Sequence, residues 1–341
     1  MTFDIDGYLS TGMVLADLGE KELIRQIVVP LFNPTGDQWG VGDDCALVDL
    51  PPGESLLIST DRVPSDLTAF RLGLLDYRGL GGYLARLNLS DIAASGGTPR
   101  GLLLNLGLPS TLPVRHFVAL LLGAHEIARA HEIEIIGGDL SDAPEVSISA
   151  TAVGSVKRSR ALSRQTARVG DLVFISRPLG LTPAAFEYYR SKDRLLTSLS
   201  EAEVLALNQQ FSDSAPMFSL AAALSSSGIC TSCMDNTDGI GQSLSEIAER
   251  SNVAIVVDRQ KLVFPEVVRK IADGAERDLV RLAFAGGADF SLVGTVSVGS
   301  EKSCPPEISI VGRVVPGQGV HLVQEKGLEP LAIEGWNYYR R

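Results

Sequence analysis

The sequence predicts an α/β fold, shading into α+β, arranged as two domains. Three observations carry that reading. Strand and helix signals alternate through both halves of the chain. Its 341 residues are enough for two medium domains. Apolar residues make up 45 % of it and aromatics only 6 %, so the core is mostly Leu, Val, Ile and Ala. A glycine count of 34 adds many tight turns and close backbone approaches.

Residues 1–18 read as a loosely specified N-terminal extension. Glu20 to Phe32 has helical spacing, with Leu23, Ile24, Ile27 and Val28 on one side. A glycine-bearing loop from Gly36 leads to Gly42-Asp43-Asp44-Cys45-Ala46. Strands are expected at Ala46–Leu50 and Leu56–Thr60, joined by a Pro51-Pro52-Gly53 turn. A small-residue helix within 72–96 follows, then a strand at Leu102–Leu108 and an amphipathic helix at Val114–His131. Glu134–Ile136 reads as a short strand ending in Gly137-Gly138-Asp139, and Val146–Val156 as a longer one. The basic, turn-prone stretch 157–170 marks a domain boundary, giving domains at 19–156 and 157–341. Beyond it come a strand (Leu172–Ser176), a helix from about Pro183, a polar stretch at 190–205 and a Ser/Gly turn at 225–228. Asp235-Asn236-Thr237-Asp238-Gly239 opens a helix to about Arg250. Strands at Val253–Val257 and Phe290–Val296 flank a helix at 265–276 and the loop Ala285–Asp289, before a β-rich tail.

A net charge of −11 argues against a general affinity for nucleic acid or anionic membrane, which need a basic face. No stretch of 18 uninterrupted apolar residues occurs. The acidic N-terminus lacks the basic and apolar regions of a signal peptide. Four cysteines in this length make no disulfide framework. The expectation is a cytoplasmic protein with reduced thiols.

The chemistry-bearing feature is a set of aspartates in glycine-flanked turns and element ends: Asp43, Asp44, Asp61, Asp91, Asp139, Asp235, Asp238 and Asp289. Oxygen-only donors suit Mg2+, which bridges one or two carboxylates to substrate phosphates. Nearby glycines let backbone N–H groups approach an anion. Asp and Gly are also simply common in turns, so number and placement carry the signal. Walker-type, dinucleotide and nucleophile-elbow motifs are absent. His125-Glu126 is followed by Arg129, so the zinc-helix spacing fails. His116, His125, His131 and His321 are expected on partly exposed surfaces. Cys230 and Cys233 form a lone C-x-x-C, structural, redox-active or half a zinc site. Lys157, Arg158, Arg160, Arg164 and Arg168 either clamp a phosphate or form a solvated loop.

In order, these segments resemble the thiamine-monophosphate kinase family, of the aminoimidazole ribonucleotide synthetase and selenophosphate synthetase superfamily. Gly19-Glu20 with Leu23-Ile24, Gly42-Asp43-Asp44-Cys45-Ala46, Ser59-Thr60-Asp61 and Asn88-Leu89-Ser90-Asp91-Ile92-Ala93-Ala94 are similar to its N-terminal motifs. Gly137-Gly138-Asp139, Arg160-Ala161-Leu162 with Arg164, Gly170-Asp171, Asp235–Gly239 and Gly286–Phe290 continue the match, which runs from about Gly19 to the C-terminus.

The resemblance implies a two-domain aminoimidazole-ribonucleotide-synthetase-like fold whose N-terminal sheets pair across a homodimer. It implies transfer of the γ-phosphoryl group of ATP to thiamine monophosphate, with Mg2+ as cofactor. Metal ligation falls to Asp43, Asp44, Asp61, Asp91, Asp139 and Asp238, of which Asp139 and Asp238 are catalytic. ATP contacts fall to Gly42, Asp43, Asp91, Gly138, Asp139, Arg164 and Thr237. Contacts to a small phosphate substrate fall to Asp66, Asp235, Asp289 and Trp336. The partners implied are that small molecule and a second copy, not nucleic acid or membrane. Departures sit at family substrate positions: Arg62 to Ala69 has no His or Gly, Pro178 to Phe186 has fewer glycines, and Ala288 replaces an acidic residue. The C-terminal Gly335-Trp336-Asn337-Tyr338-Tyr339 lacks the family's His. These leave two alternatives, a relative with another acceptor or a non-catalytic nucleotide-binding protein.

Overall fold

A computed structural model of the chain describes residues 4–35, 40–191, 198–324 and 327–331. It divides into two compact units, one of residues 1–92 with 98–158, the other of 93–97 with 159–341.

The first unit opens with helices α1 (Ile5–Ser10) and α2 (Leu15–Leu18). This segment, expected as a loose extension, is folded. Val14 bridges Pro113, the Leu15 and Ala16 amides donate to the Leu112 and Ser110 carbonyls (2.9 and 2.8 Å), and Leu15 is buried. The expected helix at Glu20–Phe32 forms as α3 (Glu20–Leu23), a π turn (Ile24–Val28) and α4 (Val29–Phe32). Among the described residues Ala46–Leu50 forms no strand; the hairpin expectation fails there because no paired neighbour supplies its hydrogen bonds. Strand β1 (Glu54–Arg62) is followed by α5 (Thr68–Arg71), α6 (Tyr77–Ala94), β2 (Thr98–Leu108), α7 (Val114–Ala130), β3 (Ile135–Asp142) and β4 (Ser147–Lys157).

These strands make one sheet in the order β1-β4-β2-β3, with only β2 and β3 parallel. One face is covered: Leu102, Leu104, Leu106, Ile148, Ala150 and Ala152 are buried. The covering helices touch backbone to backbone. A Cβ on Gly81 of α6 would lie 1.9 Å from the Leu120 carbonyl oxygen, and one on Gly123 of α7 would lie 1.8 Å from that of Arg78. The small residues of α6 are therefore a packing requirement. Along β1 the other face is open, with Leu56 46 % and Ile58 63 % exposed.

The second unit holds β5 (Leu172–Ile175), α8 (Leu181–Ser191), α9 (Glu201–Asp213), α10 (Phe218–Ser227), β6 (Cys230–Asp235), α11 (Ile240–Ser251), β7 (Ala254–Asp258), α12 (Glu266–Gly274), α13 (Leu279–Phe284), β8 (Leu292–Val296), β9 (Ser309–Val315), β10 (Gly319–Gln324) and β11 (Gly327–Pro330). Their sheet runs β11-β10-β7-β9-β5-β8-β6. At β5 both faces are covered, which is why it reads as an unbroken apolar run. Val173 and Ile175 pack with Leu244, Ile247 and Phe284 on one side. Phe174 packs with Leu220, Leu224 and the α6 residues Ala93 and Ala94 on the other. Helix α9 begins inside the polar stretch expected at 190–205, and α10 ends in the Ser/Gly turn expected at 225–228. Ser200 and Glu203 close a reciprocal cap on α9, and Gly228 ends α10 in the left-handed conformation. Among the described residues no helix is long and apolar enough to cross a membrane.

Candidate active site

In the first unit a tight turn presents Asp43 and Asp44. The Gly40 amide donates to the Cys45 carbonyl (2.9 Å), the Asp43 amide to that of Gly40 (3.0 Å), and Asn33 Nδ2 to that of Val41 (3.0 Å). Gly40 and Gly42 have φ of 104° and 101°, a region that side chains disfavour. Across from this turn lie Gly137, Gly138 and Asp139. They sit inside β3 and not, as expected, beyond a strand end. Both segments line one cavity of about 360 Å³. Its walls are apolar, from Phe32, Leu104, Leu106, Phe117 and Leu121, with Ile24 and Val28 of the π turn. Exposed Asp43, Asp44 and Asp139 give it a polar rim. The structure thus brings together Gly42, Asp43, Asp44, Gly138 and Asp139.

Asp61 and Asp91 form a second group. Ser59 Oγ donates to Asp91 Oδ2 at 2.5 Å, and Asn88 Oδ1 accepts from the Asp61 amide at 2.8 Å. Asn88 and Asp91 are one helical turn apart on α6, while Ser59 and Asp61 share a face of β1. Two side-chain bonds therefore set the helix against the strand that carries Asp61. A lateral row of paired residues, Asp61–Ala150–Leu104–Gly138, links this group to the first across the sheet. Three strand spacings put it about 14 Å away. Asp139 pairs with exposed Asn105, on the opposite face from Leu104. Among the described residues no three acidic, histidine or cysteine side chains converge as a complete metal cage. Oxygen donors on a cavity rim lined by no His or Cys fit Mg2+, which needs only one or two carboxylates when phosphates supply the rest.

In the second unit, Asp235 ends β6 and is buried, and Thr237 and Asp238 are half-exposed in the turn that follows. That turn lies on the loop before β8. A Cβ on Gly287 would fall 2.2 Å from the Thr237 carbonyl oxygen, so glycine is required there. Asp289 Oδ1 accepts from Asn236 Nδ2 (2.9 Å), the Ser291 amide (2.9 Å) and Ser291 Oγ (2.6 Å). Asp66 lies in the turn after β1, and Arg164 is exposed with the rest of its basic stretch. Trp336 lies outside the described residues. All four histidines are partly exposed, as expected. Ser59, Asn88 and Asn236 were not singled out in the sequence, and only their places inside the motifs pointed to them; Ser291 lies one residue past the Gly286–Phe290 motif and had no such signal.

Although part of Asp289 reaches solvent, its carboxyl is enclosed. Burial pushes its pKa up, more than the Ser291 donors, the Arg177 charge and Asn236 pull it down. The folded state therefore holds this proton to higher pH than the unfolded chain does. Stability is lost as pH rises from the unfolded pKa through the folded one. Asp289→Asn keeps an acceptor oxygen and removes the ionisation. Relative to the parent, its melting temperature is expected to rise between pH 4 and pH 7. Equal differences at both pH values in thermal melts would show that Asp289 carries no such penalty.

The chain resembles known proteins along most of its length. Residues 42–156 match the family AIR synthase related protein, N-terminal domain. The thiamine-monophosphate kinase of Pyrococcus horikoshii is 30 % identical over 329 residues, 96 % of this chain and 98 % of that protein. The solved thiamine-monophosphate kinase of Stenotrophomonas maltophilia K279a superposes with a TM-score of 0.74 at 28 % identity, covering 88 % of this chain and 95 % of that one. AaThiL complexed with AMPPCP and TMP superposes with a TM-score of 0.73 at 25 % identity, covering 96 % and 100 %. Fold alone would leave the family open, but 30 % identity runs through nearly the full length of both proteins, and on that ground the chain belongs to the thiamine-monophosphate kinase family.

Proposed function

We propose that this chain transfers the γ-phosphoryl group of ATP to thiamine monophosphate, giving thiamine diphosphate and ADP. The observation that carries the reading is the near-complete match to the Pyrococcus horikoshii kinase. The complex of AaThiL with AMPPCP and TMP supports both substrates. We assign the nucleotide and metal to the domain at 19–156, through Gly42, Asp43, Asp44, Asp61, Asp91, Gly138 and Asp139. In the domain at 157–341 we assign metal contact to Asp238, nucleotide contact to Arg164 and Thr237, and acceptor contact to Asp235 and Asp289. Asp66 and Trp336 are assigned to the acceptor as well.

The acceptor's phosphate oxygen attacks the γ-phosphorus, the new P–O bond forms, and the bond to the β-phosphate oxygen breaks as ADP leaves. A phosphate monoester is largely ionised at neutral pH, so the site needs no strong base. This fits a rim built from aspartates without histidine. Mg2+, when bound, neutralises the phosphates and offsets the charge that builds on the leaving oxygen. The chain's own contribution is positional: glycine turns bring the backbone close to the phosphates, and the Ser59 and Asn88 bonds hold β1 and α6 in one register.

We further propose a cytoplasmic homodimer. The open face of β1, with Leu56 and Ile58, and exposed Leu47 offer apolar surface that a second copy covers. A second reading, a different small acceptor, draws on the altered segments at Arg62–Ala69 and Pro178–Phe186 and on Ala288. The deciding experiment measures ADP release by the purified protein with Mg-ATP, with and without thiamine monophosphate. Stimulation of at least about tenfold, with thiamine diphosphate as product, is expected. Mg-ATP binding without stimulation would transfer the conclusion to the second reading. No binding of Mg-nucleotide would remove both.

A further inference from the structure

We propose that Arg177 is a positioning residue for phosphoryl transfer, stapling the loop before β8 so that Asp289 and the Asp235–Asp238 turn keep one geometry. The proposal rests on the kinase reading above. Strands β5, β8 and β6 are neighbours, and β8 is antiparallel to the other two. Ile175 pairs with Val293 and Asp235 with Leu292, so the ends of β5 and β6 and the start of β8 meet at one edge of the sheet.

Arg177 lies two residues past β5, half-buried at that edge. Its Nη1 donates to the Asp289 carbonyl and its Nη2 to the Ala215 carbonyl, both at 2.8 Å. Two separate chain segments are thus held by one planar fork, which a single ammonium group cannot reproduce. Beyond Asp289 three contacts continue the chain: Asn236 Nδ2 donates to its carboxylate, the Asn236 amide donates to the Ser291 carbonyl (2.8 Å), and Gly287 lies on Thr237.

The loop needs such an anchor. Ala288 and Phe290 have φ of 64° and 52°, the left-handed region that residues with a Cβ avoid. Such a conformation persists only where the surroundings over-determine it. Without the guanidinium, relaxation at 288 and 290 shifts Gly287 off Thr237 and frees the turn that carries Asp238.

The test compares Arg177→Lys and Arg177→Met with the parent. In metal-free protein, hydrogen exchange at the Asn236 amide and the amides of 287–291 is expected to speed up about tenfold or more. With Mg-ATP and thiamine monophosphate, kcat is expected to fall about 10- to 100-fold, as misplaced groups cost. The Mg2+ concentration for half-maximal rate should rise, KM for ATP should stay within about twofold, and Lys should not rescue. Adding Ala288→Gly to Arg177→Lys relieves the strain and should recover part of the rate. A lower melting temperature with unchanged exchange at these amides, unchanged kcat and unchanged Mg2+ dependence would reduce Arg177 to a structural residue and overturn the proposal. A parent protein that makes no ADP in response to thiamine monophosphate overturns the kinase reading and this role together. A competent parent with unaffected variants overturns only the role of Arg177.

Discussion

Asp139→Asn is expected to lower Mg-ATP turnover at least about 100-fold while leaving the fold intact. Even residues that merely support metal ligands typically cost about 10- to 100-fold when changed, so a ligating carboxylate should sit at or beyond that range. The fold should not notice, because Asp139 is exposed and its carboxylate has no hydrogen bond or ion pair among the described residues. Asparagine is nearly isosteric, and surface changes of this kind usually stay within about 0.5 kcal/mol. An exposed carboxylate on a cavity rim with no protein partner is what a ligand-facing group looks like before the ligand arrives. ADP release and a denaturation midpoint, measured on the same preparation, check both halves. Turnover within about threefold of the parent would place Asp139 outside the reaction.

The Gly-Asp segments that line the candidate cavity were legible in the sequence, for a local reason. Glycine beside aspartate marks a backbone conformation or a close approach, and Gly42 and Gly138 have just those demands. Periodicity likewise located α7 and β4 to within about two residues. What was missed depends on partners far along the chain. Asn88 reaches an amide 27 residues away, and Arg177 bonds carbonyls 38 and 112 residues away. No local pattern encodes those meetings. Helix α9 is a different case, since Ser200 and Glu203 are its capping box and were readable as one. Composition outweighed that cue, because the serines and acids around it read as a polar stretch. The Ala46–Leu50 expectation failed for the opposite reason. Its residues favour a strand, but strand formation needs a neighbour as well as a propensity.

The two glycines before Asp139 separate packing from chemistry, and they predict opposite results from the same substitution. A Cβ at Gly138 would lie 1.9 Å from the Leu104 carbonyl oxygen and 2.9 Å from the Leu104 amide nitrogen. Both atoms are backbone of the paired strand β2, which is itself locked between β3 and β4. Nothing flexible can give way, so Gly138→Ala must push β3 off its partner. A cost of about 3 kcal/mol or more is expected, at the upper end for overpacking. At Gly137 the nearest atom to an added Cβ is Leu103 Cδ2 at 3.5 Å, an ordinary contact with the tip of a side chain. Gly137→Ala is therefore expected to change stability by less than about 1 kcal/mol. Denaturant midpoints for the two variants measure the difference directly. Equal midpoints would mean that β3 and β2 are not paired in this register, and the placement of Asp139 on the cavity rim would go with it.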